Sequence, residues 1–192
     1  MAYQQHGSSL TFWARDNVDR VVRLFGRTYE IPPGWFAGSS ALFVLLLTAP
    51  MTVVLRRFRL GSASKLTAGV VVGAASFALL YMAARGSGGA RVHFGWLIAH
   101  YLTMTAAELL LAPIGLSAVS KLSPSRWSGI FFGLWYVSTA AGNWLAGRLG
   151  RLWVRWPHDR FFAFVALLLL ITAGLLVTQL GWLRRTLPRE DA

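Results

Sequence analysis

The chain has no cysteine, and that absence excludes disulfide frameworks, thiol catalysis and Cys-ligated zinc. Charge is nearly as scarce. Lys, Arg, Asp and Glu make up 14% of the 192 residues, where a water-soluble domain carries about 25%. Metal-ligand patterns are missing too. His6, His93, His100 and His158 are scattered, with neither a His-x-x-x-His pair nor a carboxylate at ligand spacing, so no metal and no cofactor is expected. No nucleophile elbow and no phosphate-cradling glycine loop is present. An enzyme needs a polar constellation that these residues do not supply.

What the chain does have is apolar and aromatic material. Hydrophobic residues reach 55%, with 9 Trp, 12 Phe and 5 Tyr, which rules out disorder and suits a membrane interface. The net charge of +12 does not point to nucleic acid, because the basic residues form short clusters (Arg56-Arg57-Arg59, Arg148-Arg151-Arg155, Arg184-Arg185) beside long apolar runs. A spanning helix needs about 20 mostly apolar residues, and five segments supply them: 35–55, 66–84, 94–120, 127–147 and 161–183. Hydrocarbon leaves backbone groups only internal partners, so these are helices. The expected fold class is an all-α membrane protein with five full transmembrane helices plus an N-terminal stub. Residues 1–34 divide into a helix remnant and a polar loop, 35–183 form the bundle, and 184–192 are a polar tail. Trp13–Glu30 holds seven charges and is expected as a soluble loop or amphipathic turn. No basic region precedes an apolar core at the start, so a secretory signal is not expected. Basic residues divide nine against ten between the two sides, which leaves orientation undecided by charge.

Glu108 is the residue that invites a chemical role. It lies in the middle of the third span, where an acidic side chain costs roughly 2.5–3.5 kcal/mol on insertion scales, so it is expected to face the bundle or a wet cavity. Tyr101, Thr105, Ala112 and Gly115 fall at helical spacing around it. Pro113, five residues on, removes a backbone donor and predicts a kink. The alternative for Glu108 is a buried pairing with an Arg that serves assembly. In the fourth span Tyr136, Thr139 and Asn143 share a face, open either to interhelical hydrogen bonding or to ligand contact. Gly69/Gly73 and Gly129/Gly133 are small-xxx-small pairs expected to pack within the bundle. His100, about one turn into its span, is expected as an interfacial, hydrogen-bonded histidine.

The run Glu108-Leu-Leu-Leu-Ala-Pro-Ile-Gly-Leu-Ser-Ala-Val-Ser-Lys-Leu-Ser-Pro-Ser-Arg126, followed by Gly-Leu-Trp-Tyr-Val-Ser-Thr-Ala-Ala-Gly-Asn143, closely resembles helices ten and eleven of the proton-dependent oligopeptide transporters, a POT/PTR branch of the major facilitator superfamily. Gln4-Gln5-His6-Gly7-Ser8-Ser9-Leu10 with Phe12-Trp13-Ala14-Arg15-Asp16 is similar to the end of that family's seventh helix, and Ile31-Pro-Pro-Gly-Trp35-Phe36 to the lead into the eighth. The resemblance implies the C-terminal half-bundle of such a transporter, from the tail of helix seven through helix twelve, with Met1 as an internal methionine and six N-terminal helices missing. It implies a multi-pass protein of the plasma (inner) membrane, with peptide substrate, protons, the lipid bilayer and a complementing half as partners. The loops Arg56–Lys65 and Lys121–Arg126 and the C-terminus would be cytoplasmic. Residue by residue, Glu108 matches the carboxylate that receives the peptide amino terminus, Trp135 an aromatic lining a side-chain pocket, and Thr139 a small hydroxyl position nearby. Tyr101 stands on the face of Glu108. Gln4 replaces a gating carboxylate and Ser40 a peptide-contacting Asn, two departures from the family pattern. The function so implied is the C-terminal portion of a proton-coupled di/tripeptide symporter, not competent alone; the alternative is a non-transporting fragment or scaffold subunit.

Overall fold

In hydrocarbon each backbone N–H and C=O must find a partner within its own segment, and long apolar runs meet that demand as helices. The computed structural model describes residues 9–58, 61–179 and 181. Among them lie six helices: α1 (Ser9–Asn17), α2 (Pro33–Phe58), α3 (Ser62–Gly86), α4 (Gly95–Leu122), α5 (Ser128–Arg155) and α6 (His158–Thr178). Four contain stretches long and apolar enough to cross a membrane: Pro33–Leu55, Ser64–Gly86, Gly95–Lys121 and His158–Thr178. The molecule is a mostly helical membrane bundle, as an all-α reading expects, and the first difference concerns the fourth expected span. Helix α5 has 28 residues and is long enough, but it is not among those four. Its uncharged stretch is made largely of Gly, Ser, Thr, Asn, Trp and Tyr rather than Leu, Ile and Val, and Arg148, Arg151 and Arg155 occupy its end. The end of the expected last span, the tail 184–192 and Gln4 lie outside the described residues.

Proline and glycine set the helix limits. Pro33 opens α2 at a position where its missing N–H costs nothing. Gly88 and Gly89 take positive φ, 56° and 92°, in the turn after α3. Pro124 precedes a single 3₁₀ turn, Ser125–Trp127, and Pro157 precedes α6.

The stretch Trp13–Glu30 departs from the expected loop. Helix α1 continues to Asn17 with Trp13 and Ala14 each 1% exposed. Val18–Asp19 (β1) then pairs in parallel with Val92–His93 (β4), which ties the end of α1 to the turn between α3 and α4. An antiparallel hairpin follows, β2 (Val21–Leu24) with β3 (Arg27–Glu30). Its two-residue turn holds Phe25 at φ 50° and Gly26 at 76°, the positive pair that lets the turn match the twist of its strands.

Helix α3 packs along both α4 and α6, and α2 lies against α4 and α1. Lipid tails are as apolar as leucine, so close packing rather than escape from water holds such helices together. A cluster of buried side chains gathers at the end of the bundle nearest α1, where Trp13 meets Phe162 edge to face at 5.2 Å and Trp153 meets Phe161 at 5.2 Å and 85°. Such aromatic pairs contribute about 0.5–1.5 kcal/mol each beyond burial. His100 belongs to this packing. It is fully buried and its Nδ1 is 3.0 Å from the carbonyl oxygen of Ser76, so it is a core residue rather than an interfacial one.

Helix α5 is held differently. Of its side chains only Ala146 is buried, and near its end Trp153 stacks on His158 at 4.2 Å and 19°.

Candidate functional site

A cavity of about 730 Å³ opens where α3, α4, α5 and α6 converge. Helix α4 contributes its central stripe, Met104, Glu108, Leu111 and Ala112, residues three and four apart that share one side of a helix. Helix α3 contributes Gly69 and Gly73, whose missing side chains leave room for the wall of α4. Trp135 of α5 closes one flank, and leucines and Ile171 of α6 supply most of the rest.

Glu108 is half-buried, and its Oε1 is buried without a hydrogen-bond partner among the described residues. It makes no ion pair among them either, so the assembly pairing with an arginine is not what the structure holds. A carboxyl oxygen in an apolar wall, without a partner among the described residues, is placed to accept a hydrogen bond from a cation or a protonated ligand.

Trp135 reaches the cavity because α4 has a glycine where the ring lies. A Cβ built on Gly115 would overlap the indole, with Cζ3 at 3.0 Å and Cζ2 at 3.2 Å. Gly115 lies two turns from Glu108, so the acid and the indole stand on one stripe, about 10 Å apart along the helix axis. Helix α4 runs unbroken through Pro113.

The other sequence candidates lie elsewhere. Tyr101 points along nearly the same side of α4 as Glu108 but two turns earlier, where the bundle closes over it. It is 1% exposed in the core cluster and does not line the cavity. Thr105 is fully buried, its hydroxyl donating to the Tyr101 carbonyl at 2.8 Å. Thr139 is exposed on α5 and donates to the carbonyl of Trp135 at 3.1 Å; Asn143 is also exposed. Ser40, on α2, donates to Ala37 O at 2.8 Å and is outside the cavity wall. Gly129 and Gly133 need correcting. A Cβ at either would meet nothing within 4 Å, because no described helix lies against that side of α5, so they do not pack in this bundle. Close approach occurs at Gly69 instead. Thr172 of α6 also lines the cavity, a residue the sequence reading passed over. Its hydroxyl is engaged with Leu168 O at 2.8 Å, and its only signal was one hydroxyl in an otherwise apolar run.

Comparison with known proteins gives a consistent picture. The family model described as POT family matches residues 1–176. The chain is 37% identical over 158 residues to the peptide transporter YePEPT of Yersinia enterocolitica subsp. palearctica, covering 78% of this chain and 30% of that protein. It is 29% identical over 154 residues to dipeptide and tripeptide permease A of Proteus mirabilis, again covering 78% and 30%. Among solved structures, peptide transporter POT in complex with sulfate superposes with a TM-score of 0.84 at 27% identity, over 97% of this chain and 38% of that one. The chain therefore spans about a third of the length of the relatives it matches.

Proposed function

The chain belongs to the POT family, and from that premise we propose that it is the C-terminal portion of a proton-coupled di- and tripeptide symporter of the plasma membrane, with Glu108 and Trp135 in its substrate site. The observation that carries this reading is the carboxylate of Glu108, its Oε1 buried and unpartnered, in the wall of a 730 Å³ cavity bounded by spanning helices. A peptide presents an ammonium at one end, and a desolvated carboxylate pairs with it far more strongly than water allows. The apolar wall and the Trp135 ring suit a side chain. Protonation of Glu108 cancels its charge and releases the ammonium, so one group links substrate binding to a proton. Transport by rocking needs a second half facing the first across the site. A complementing half is therefore part of the proposal, and the chain alone is not expected to transport.

The test is proton-driven peptide uptake by proteoliposomes holding the chain together with a complementing half. Glu108→Gln keeps the shape and removes the charge. A hydrogen bond to a charged group contributes about 1.5–3 kcal/mol, which corresponds to roughly ten- to hundredfold in peptide affinity, and uptake driven by a proton gradient should vanish with insertion intact. Unchanged uptake removes Glu108 from the site.

A further inference from the structure

The hairpin β2–β3 takes no part in the cavity, and its composition calls for a partner. Its tip residue Phe25 is 102% exposed on a left-handed backbone, where a large apolar side chain is covered by none of the described residues. Arg23 and Arg27 flank it. Across the ribbon Arg23 stands opposite Thr28 and Leu24 opposite Arg27, so the two guanidinium-bearing positions fall on opposite faces, one on each side of the tip. Neither takes part in an ion pair among the described residues. The carboxylate of the hairpin, Glu30, is held by Arg20 at 2.6 Å, and Asp19 accepts the Val21 N–H at 3.1 Å.

Position supplies the rest. Arg20 also donates to the Ile31 carbonyl at 2.7 Å, which locks the base of the ribbon two residues ahead of the span Pro33–Leu55. Trp35, near the start of that span, is 71% exposed, and Tyr29 on β3 is 51% exposed, both residue types that settle at headgroup level. Strands of four residues reach about 13 Å, so the tip stays near the membrane surface from which it springs.

We propose that this hairpin is a membrane-surface anchor: Phe25 seats at the boundary between headgroups and acyl chains, and Arg23 and Arg27 bind the phosphates of anionic phospholipids in the same leaflet. The pattern is that of interfacial anchors in general, an apolar wedge bordered by cations. It does not depend on whether the protein transports anything.

The lack of cysteine allows a single nitroxide to be placed at Thr28→Cys in the full chain. The labelled protein is reconstituted in vesicles of phosphatidylcholine alone or of phosphatidylcholine mixed with phosphatidylglycerol. Label collisions with oxygen, which concentrates in lipid, are compared with those of a water-soluble nickel chelate. Two arginines near an anionic surface shift the docked-to-free ratio by about thirtyfold, so the label should turn from nickel-accessible to oxygen-accessible when phosphatidylglycerol is present. Arg23→Gln with Arg27→Gln should abolish that dependence. Phe25→Asn, which tolerates the left-handed turn, should reduce oxygen access in the vesicles that contain phosphatidylglycerol, and unchanged access there would count against the wedge. The proposal is overturned by a label equally open to the chelate in both compositions, by one shielded from both reagents as in a protein contact, or by a lipid dependence that survives loss of both arginines.

Discussion

Substituting alanine for Gly69 tests the packing that shapes the cavity. A Cβ there would meet Leu111 Cγ at 2.7 Å, Leu111 Cδ2 at 2.9 Å and Leu110 Cβ at 3.1 Å. The leucine branch can swing away, at the cost of an unfavourable rotamer or of cavity space. Leu110 Cβ is fixed to the backbone of α4, so α3 and α4 must separate by a few tenths of an ångström. Overpacking of this kind costs about 1–3 kcal/mol. Alanine in place of glycine inside a helix returns about 0.5–1 kcal/mol. Gly133→Ala provides the reference, because it gains the same helix preference and its new methyl meets nothing within 4 Å. Gly73→Ala should resemble the reference, with its nearest neighbours at 3.8 Å, an ordinary contact. Taking differences cancels the helix preference, so Gly69→Ala should be less stable than Gly133→Ala by about 1–3 kcal/mol. The assay is reversible unfolding of the full chain in mixed micelles titrated with sodium dodecyl sulfate, followed by tryptophan fluorescence. Equal midpoints for Gly69→Ala and Gly133→Ala would refute the close approach of α3 to α4 and the cavity wall built on it.

Two further outcomes are expected. Gly115→Ala should push the Trp135 indole off α4 and change the emission spectrum, and the change should vanish in a Trp135→Phe background; a shift that persists there places its source in another tryptophan. At the end of α1, the hydrogen bond from Arg15 at 2.7 Å holds the Asp16 carboxyl below its ordinary value near 3.8. A lowered carboxylate favours the folded state above its ordinary pKa, and that contribution fades as pH falls through the lowered value. Carbon-13 NMR should therefore show Asp16 titrating at higher pH in Arg15→Gln than in the parent, and identical curves would discount the pair.

The spanning helices were legible because an apolar run without charge has one backbone solution in hydrocarbon. Glu108 was legible for the complementary reason: a carboxylate at that depth is too costly to leave facing lipid. Periodicity gave the angle of each residue around α4 but not where along the axis the bundle closes, so Tyr101 and Thr105, aligned with Glu108, ended in the core. Spacing alone also treated Gly69/Gly73 and Gly129/Gly133 alike. The difference between them is whether another helix lies opposite, a long-range fact that no local pattern carries. The hairpin was missed because Val21-Val22-Arg23-Leu24 and Arg27-Thr28-Tyr29-Glu30 do not alternate apolar with polar. A glycine in a two-residue turn between them was the available sign.

Helix α5 presents three sides of different composition. Trp135 and Ala146 point toward the bundle. Ile130, Leu134 and Val137 are exposed by 54%, 59% and 64% on a second side that suits lipid. Tyr136, Thr139 and Asn143 are exposed on a third, roughly 150° around the helix from that apolar side. The Thr139 hydroxyl is engaged with the Trp135 carbonyl, but a membrane helix gains nothing by turning a phenol and an amide toward acyl chains, where an unsatisfied polar group costs about 1 kcal/mol or more. Gly129 and Gly133 lie beside this polar strip with open space over them, which leaves room for something to come close. A wet chamber closed by a second set of helices would satisfy the strip, fill that space and complete the wall in which Glu108 stands. The same enclosure would raise the strength of any bond the carboxylate makes by excluding water. Under the proposed function, the polarity that keeps α5 out of the set of apolar spanning helices is what a surface facing a complementing half, and not lipid, would require.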